Sequence, residues 1–270
     1  MRQTIPLMPL WKWIILIILG SLFFLFLSQV APITGTFSNH LAGKTLLLFS
    51  GSFAIIGLYT LYVKVFERRI PYELKLKKAL PNLFLGTIIG GIFIGCVVGI
   101  LTLFGVYHID AISIDWTGIV LNFAMLSIVA VSEEIIFRGI IFRMIDERFS
   151  TMLAFIISSL LFGIIHLTTV DFLTAMAISV EAGFMLAAAY KLRNNLWVPI
   201  GIHWAWNFFL GPIFGVGVSR ISHDACVIIP KITGPSILTG GNNGFEGSIV
   251  TFILGLAIGI IILCYKTHEK

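Results

Sequence analysis

Residues 116–142 read WTGIVLNFAMLSIVAVSEEIIFRGIIF. The run is longer than the roughly 20 apolar residues that carry a helix across a hydrocarbon core of about 30 Å. Only Glu133, Glu134 and Arg138 interrupt it. An ionisable side chain within a span costs about 2.5–3.5 kcal/mol on insertion scales, so it faces a protein interior or a cavity rather than lipid. Helical spacing separates the three charges. Glu134 and Arg138 are four residues apart and share a face, whereas Glu133 points about 100° away around the helix. One carboxylate is thus neutralised by its neighbour and the other is left available.

The rest of the chain fits a membrane setting. Of its 270 residues 58% are hydrophobic and 11% charged, against about 25% charged in soluble domains, and the mean hydropathy is +1.01. Disorder and a disulfide scaffold are excluded. Further apolar runs extend over Trp13–Leu27, Thr45–Val65, Pro81–Val106, Thr151–Leu167, Phe172–Tyr190, Leu196–Val218 and Ser248–Tyr265. With the opening run they predict an all-α polytopic membrane protein of about eight transmembrane helices. The first run resembles a signal peptide, but Pro32 directly follows the small residue Ala31, so we read it as a span. Gly86, Gly90, Gly91, Gly95 and Gly99 are the small residues that let membrane helices approach closely. Cys96, Cys226 and Cys264 are read as small core residues.

The net charge of +5 is a topology signal, since no aromatic-basic patch points to nucleic acid. With both termini cytoplasmic, the inner segments hold Arg2, Lys12, Lys64, Arg68, Arg69, Lys75, Lys77, Lys78, Arg138, Arg143, Arg148, Lys191, Arg193, Lys266 and Lys270. Lys44, Arg220 and Lys231 remain outside, the asymmetry that the positive-inside rule gives an even number of spans in a cell membrane. Glu67–Lys78 reads as a cytoplasmic linker beside anionic headgroups. Residues 1–270 form a single membrane domain. Residues 1–115 hold three spans without motifs, 116–218 the candidate catalytic core, and 219–270 an outer loop with the final span; residues 219–247 are a re-entrant or folded external loop.

Beyond the opening run, polar groups at membrane depth are few. Phe162 and His166 share a helix face, as do His203 and Asn207, and Glu181 stands in the sixth span. Counted from the turn near Ser150, Glu133 and His166 reach one level. His203 lies only about 12 Å along its helix from the Asn194–Asn195 turn. To join them, either the fourth and fifth helices project past the inner surface or that turn lies deeper. Trp204, Trp206, Phe208 and Phe209 read as packing or interfacial aromatics.

Glu133-Glu134-x-x-x-Arg138, Phe162-x-x-x-His166 and His203-x-x-x-Asn207, in this order on separate spans and with Leu196-Trp197-x-Pro199-Ile200 leading into the third, resemble the CAAX prenyl protease and bacteriocin-processing (Abi) family of intramembrane endopeptidases. The resemblance covers roughly residues 122–218. It implies hydrolysis of a peptide bond in a membrane-associated peptide or protein, in a setting such as bacteriocin processing or self-immunity. Glu133 would activate water with help from His166, His203 and Asn207 would stabilise the oxyanion, and Glu134, Arg138 and Phe162 would support the site. Glu181, alone in mid-span, is read as a group behind the site, expected to partner a nearby His or Arg. A poorly solvated carboxylate is a strong base toward water, and nearby donors stabilise a developing oxyanion.

No cofactor is expected. The alternative is zinc, held by Glu133, His166 and His203, although the contiguous H-E-x-x-H helix motif is absent. A non-catalytic immunity or scaffold protein would need none of this chemistry. A proton-coupled transporter would use the same buried charges, but related halves and broken helices are not evident in the sequence.

Overall fold

The structure is a computed structural model and describes residues 8–219 and 225–268, with side chains through Tyr265. Arg2, Arg220 and Lys270, which enter the charge count, lie outside the described residues, as does the side chain of Lys266.

The elements in order are α1 (Leu10–Val30), α2 (Leu41–Tyr62), α3 (Ala79–Leu103), β1 (Tyr107–Ile112), α4 (Trp116–Glu134), α5 (Arg143–Arg148), α6 (Thr151–Ile165), α7 (Phe172–Ile178), α8 (Met185–Arg193), α9 (Trp197–Phe208), β2 (Ile228–Ile232), α10 (Ser236–Thr239) and α11 (Ile249–His268). Wider π-helical turns, Ile135–Phe142 and Ser179–Phe184, join α4 to α5 and α7 to α8, and a third, Phe209–Ile213, prolongs α9. Local sequence sets the breaks. Ser150 caps α6 by accepting from the Leu153 amide at 3.1 Å, and Asp171 caps α7 through the Thr174 amide at 2.9 Å. Asn194 closes α8 in the left-handed conformation.

The protein is an all-α, multi-pass membrane protein. Among the described residues seven helices are long and apolar enough to cross a bilayer. The remaining expected span, Leu196–Val218, is helical from Trp197 to Ile213 and differs in character: every residue of α9 except Trp204 is buried. This helix is enclosed by protein. It crosses α3 at backbone contact, where a Cβ on Gly90 would stand 2.6 Å from the Ile202 carbonyl oxygen. Gly95 and Gly99 face open space instead, so the small-residue reading holds for one end of α3 only.

Three local expectations need correction. Cys96 and Cys264 lie on exposed helix faces rather than in the core. The segment Glu67–Lys78 is only partly a surface linker: Arg68, Lys75, Lys77 and Lys78 are exposed, but Glu67, Arg69 and Glu73 are buried, the two glutamates pairing both with Arg69 and with Arg143 from another helix. Arg138, counted with the inner surface, is fully buried. Residues 225–247 fold against the bundle. β2 pairs antiparallel with β1, Tyr107 opposite Ile232, and the Tyr107 hydroxyl donates to the Phe214 carbonyl at 2.8 Å. The Asn243 side chain bonds to Asp171.

Candidate active site

The expected motifs converge on one cavity of about 1020 Å3, whose wall includes Glu133, Phe162, His166, His203 and Asn207. The turn before α9 is buried, with Asn195, Leu196 and Trp197 all inside; the Leu196 amide donates to the Glu73 carbonyl at 2.9 Å. From this packed turn α9 runs alongside α4, where His203 meets Glu134.

Glu134 is the hub. Its Oε1 accepts from Arg138 Nη1 at 2.8 Å and from His203 Nδ1 at 2.9 Å, and the carboxylate is fully buried. The i, i+4 pair read from the sequence thus has a second task, because it also fixes the His203 ring. Arg138 is held in turn by the Gly183 carbonyl at 2.9 Å and sits 4.5 Å from the centre of the Phe162 ring, a cation–π contact. With Nδ1 committed to a carboxylate, Nε2 of His203 is the nitrogen left for chemistry, and it lies 3.9 Å from Glu133 Oε2. That nitrogen accepts a proton when the ring is neutral and donates only when both nitrogens are protonated.

Glu133 differs from its neighbour in being incompletely used. Its side chain is 17% exposed on the cavity side, and Oε2 has no hydrogen-bond partner. His166 packs on Phe162 with ring centres 5.1 Å apart, and its Nδ1 bonds to the Phe162 carbonyl at 2.7 Å. Phe162 also packs edge-on against His203, 5.8 Å between centres, so it spaces the two imidazoles. Asn207, one turn beyond His203, is buried and lines the same wall.

Glu181 does not find the His or Arg partner expected of it. It is fully buried beside the cavity lining, and neither carboxylate oxygen is hydrogen-bonded; its ionisable neighbour is Glu246. Glu246 is the residue that sequence reasoning missed. It lines the cavity, accepts from the Ser219 amide at 2.5 Å, hydrogen-bonds the Trp206 side chain and lies within electrostatic reach of His166 and His203. A signal existed: Glu246 is the sole acidic residue between Asp224 and Glu269, placed just before an apolar run. Trp206 correspondingly does more than pack, though its ring does lie tilted against Phe93 with centres 4.8 Å apart. Among the described residues, no group of three or more His, Cys, Asp or Glu is placed to hold a metal ion.

Comparison with known proteins follows the same boundaries. Residues 115–209 match the family described as Type II CAAX prenyl endopeptidase Rce1-like. The match runs from the residue before α4 to just past Asn207, so it contains the three motifs and omits Glu246. A stretch of 78 residues is 40% identical to the Bacillus subtilis (strain 168) protein named "Putative membrane peptidase YdiL", covering 29% of this chain and 30% of that protein. The chain therefore spans less than a third of the curated relative it matches. No solved structure matches.

Proposed function

We propose that this membrane protein is an endopeptidase that hydrolyses a membrane-associated peptide or protein, with Glu133 as the base that activates water. The observation that carries the reading is the orphaned Oε2 of Glu133, on a cavity wall 3.9 Å from a histidine nitrogen that Glu134 and Arg138 hold in place. Glu133 takes a proton from the water, assisted by His166. The hydroxide adds to the peptide carbonyl carbon, and Asn207 with the protonated His203 stabilises the oxyanion. Collapse breaks the C–N bond, and the proton on Glu133 passes to the leaving amine. Glu134 and Arg138 position His203 rather than touch substrate.

This mechanism uses no metal, and zinc on Glu133, His166 and His203 is the variant it competes with. Activity retained under strong chelation supports the metal-free form; loss that zinc restores favours the other. Both termini lie in the cytoplasm and the bilayer is the cell membrane, following the Lys and Arg asymmetry. Bacteriocin processing or self-immunity is the setting we assign, on the strength of the motif resemblance. The decisive experiment replaces Glu133 with Gln, which keeps shape and removes the base. Cleavage should disappear while the purified protein stays folded; unchanged cleavage sinks the proposal.

A further inference from the structure

The two ends of the helix bundle differ sharply in charge. At one end meet the segments 64–78, 143–148 and 191–193, which hold most of the Lys and Arg. Contacts between them fix that grouping: Arg143 bonds Glu67 at 2.7 Å and Lys191 pairs with Asp146 at 2.5 Å, while Trp197, at the start of α9, donates Nε1 to the Lys75 carbonyl at 3.3 Å. At the other end lie the β1–β2 sheet, the turn Ala31–Phe37 and the loop before α11, where Lys44 and Lys231 are the basic side chains among the described residues. Short basic turns stay cytoplasmic. The assignment rests on internal segments and is independent of anything before α1.

The cavity belongs to the sheet end. Residues that both line it and are exposed mark its mouth, and they include Leu25, Gln29, Met125 and Thr168. Leu25 and Gln29 occupy the half of α1 remote from Met8, whose carbonyl accepts from Arg148 at 2.8 Å. Met125 lies in the half of α4 that follows β1. Thr168 precedes Asp171, which bonds to Asn243 in the loop before α11. No residue of 64–78, 143–148 or 191–193 lines the cavity. Toward the basic end the way is closed by packed, buried groups: Tyr59 donates to the Gly139 carbonyl at 2.8 Å, and Arg143 bonds Glu67 at 2.7 Å.

We infer that Glu133 is reached from the outer side of the membrane, through the end of the cavity marked by Gln29, Met125 and Thr168. The substrate is then a peptide segment that is exported or displayed at the outer leaflet, not a cytoplasmic C terminus. The word substrate rests on the endopeptidase reading; the sidedness rests on geometry and charge alone.

Cysteine accessibility tests this without a substrate. In full-length protein with Cys96, Cys226 and Cys264 replaced by Ser, the mouth variants Thr168→Cys and Gln29→Cys are compared with Lys77→Cys at the basic end. Right-side-out membrane vesicles are treated with a membrane-impermeant maleimide before and after permeabilisation. Both mouth variants should label fully before permeabilisation, and Lys77→Cys only after it. Mouth positions that label only after permeabilisation, or not at all in protein that is monodisperse on gel filtration, overturn the inference. Cleavage retained by Glu133→Gln would instead defeat the peptidase reading and leave the labelling pattern unchanged.

Discussion

Two clusters of buried charge meet the helical segment that carries Glu133 to Arg143, one through Glu133, Glu134 and Arg138 and the other through Arg143, and they are built to opposite specifications. In the cluster of Glu67, Arg69, Glu73 and Arg143 every carboxylate oxygen is occupied. Glu67 bonds Arg143 at 2.7 Å and Arg69 at 2.8 Å; Glu73 bonds Arg69 at 2.7 and 2.9 Å and accepts from Tyr59 at 2.5 Å. In the cluster of Glu133, Glu134, Arg138 and His203, Oε2 of each glutamate and Nε of Arg138 are left over. Buried polar groups are nearly always satisfied, because an orphan costs about 1–3 kcal/mol. The saturated cluster therefore reads as architecture and the unsaturated one as a site held ready for something else to bind.

The largest effect should come from the least satisfied group. Glu133→Gln should lower cleavage by at least the roughly 10²–10⁴-fold that a positioned base contributes, with the thermal midpoint in detergent nearly unchanged. A variant that loses stability instead would mean that Glu133 holds helices together, and the contrast between the clusters would fail. Arg143→Met makes the complementary test. Breaking a buried ionic network by removing one partner costs about 3–5 kcal/mol, read as a large drop in unfolding temperature, because Glu67 and Glu73 lose a partner. The fraction that remains folded should cleave normally.

Glu134→Gln lies between these extremes. The amide still accepts from Arg138 and His203 but no longer carries the charge that both face, so stability should fall by about 1.5–3 kcal/mol, the weight of charge-assisted hydrogen bonds. Because Glu134 acts through His203, kcat should fall while KM holds. A fall in KM-dependent binding alone would remove the positioning role.

The sequence announces one of these clusters and hides the other, for a physical reason. Glu134 and Arg138 are one helical turn apart, and His203 with Asn207 likewise, so their pairing follows from the period of the helix. Arg143 and Glu67 are separated by 76 residues, and in a charged stretch ending in Lys77 and Lys78 nothing distinguishes a buried glutamate from an exposed one. Glu246 stood out as a lone acid before an apolar run, but its partners did not: its hydrogen bond reaches back 27 residues to Ser219. The strands β1 and β2 are short, and each is intelligible only beside the other across the intervening helices. The π-helical turn Ile135–Phe142 also left no periodic trace, yet it begins directly after Glu134, where an added residue per turn re-aims side chains and such turns gather near functional sites. Patterns confined to one helix were legible; those completed by a distant segment were not.

Glu181 gives the smallest expected effect and the most pointed one, because it obeys neither specification. It is fully buried, as in the saturated cluster, yet both its oxygens lack hydrogen bonds, as in the site. The backbone of α11 crosses so close that a Cβ on Gly255 would meet the Glu181 Cβ at 2.8 Å, leaving little room for the side chain to turn toward another partner. If it is only a residual cost, Glu181→Met fills similar volume without the orphaned oxygens and should leave stability unchanged or raise it by up to about 1–3 kcal/mol, with cleavage intact. A stable Glu181→Met protein that no longer cleaves would show that the carboxyl takes part in the chemistry alongside its neighbour Glu246, and unsatisfied buried atoms would then mark function throughout this molecule rather than at Glu133 alone.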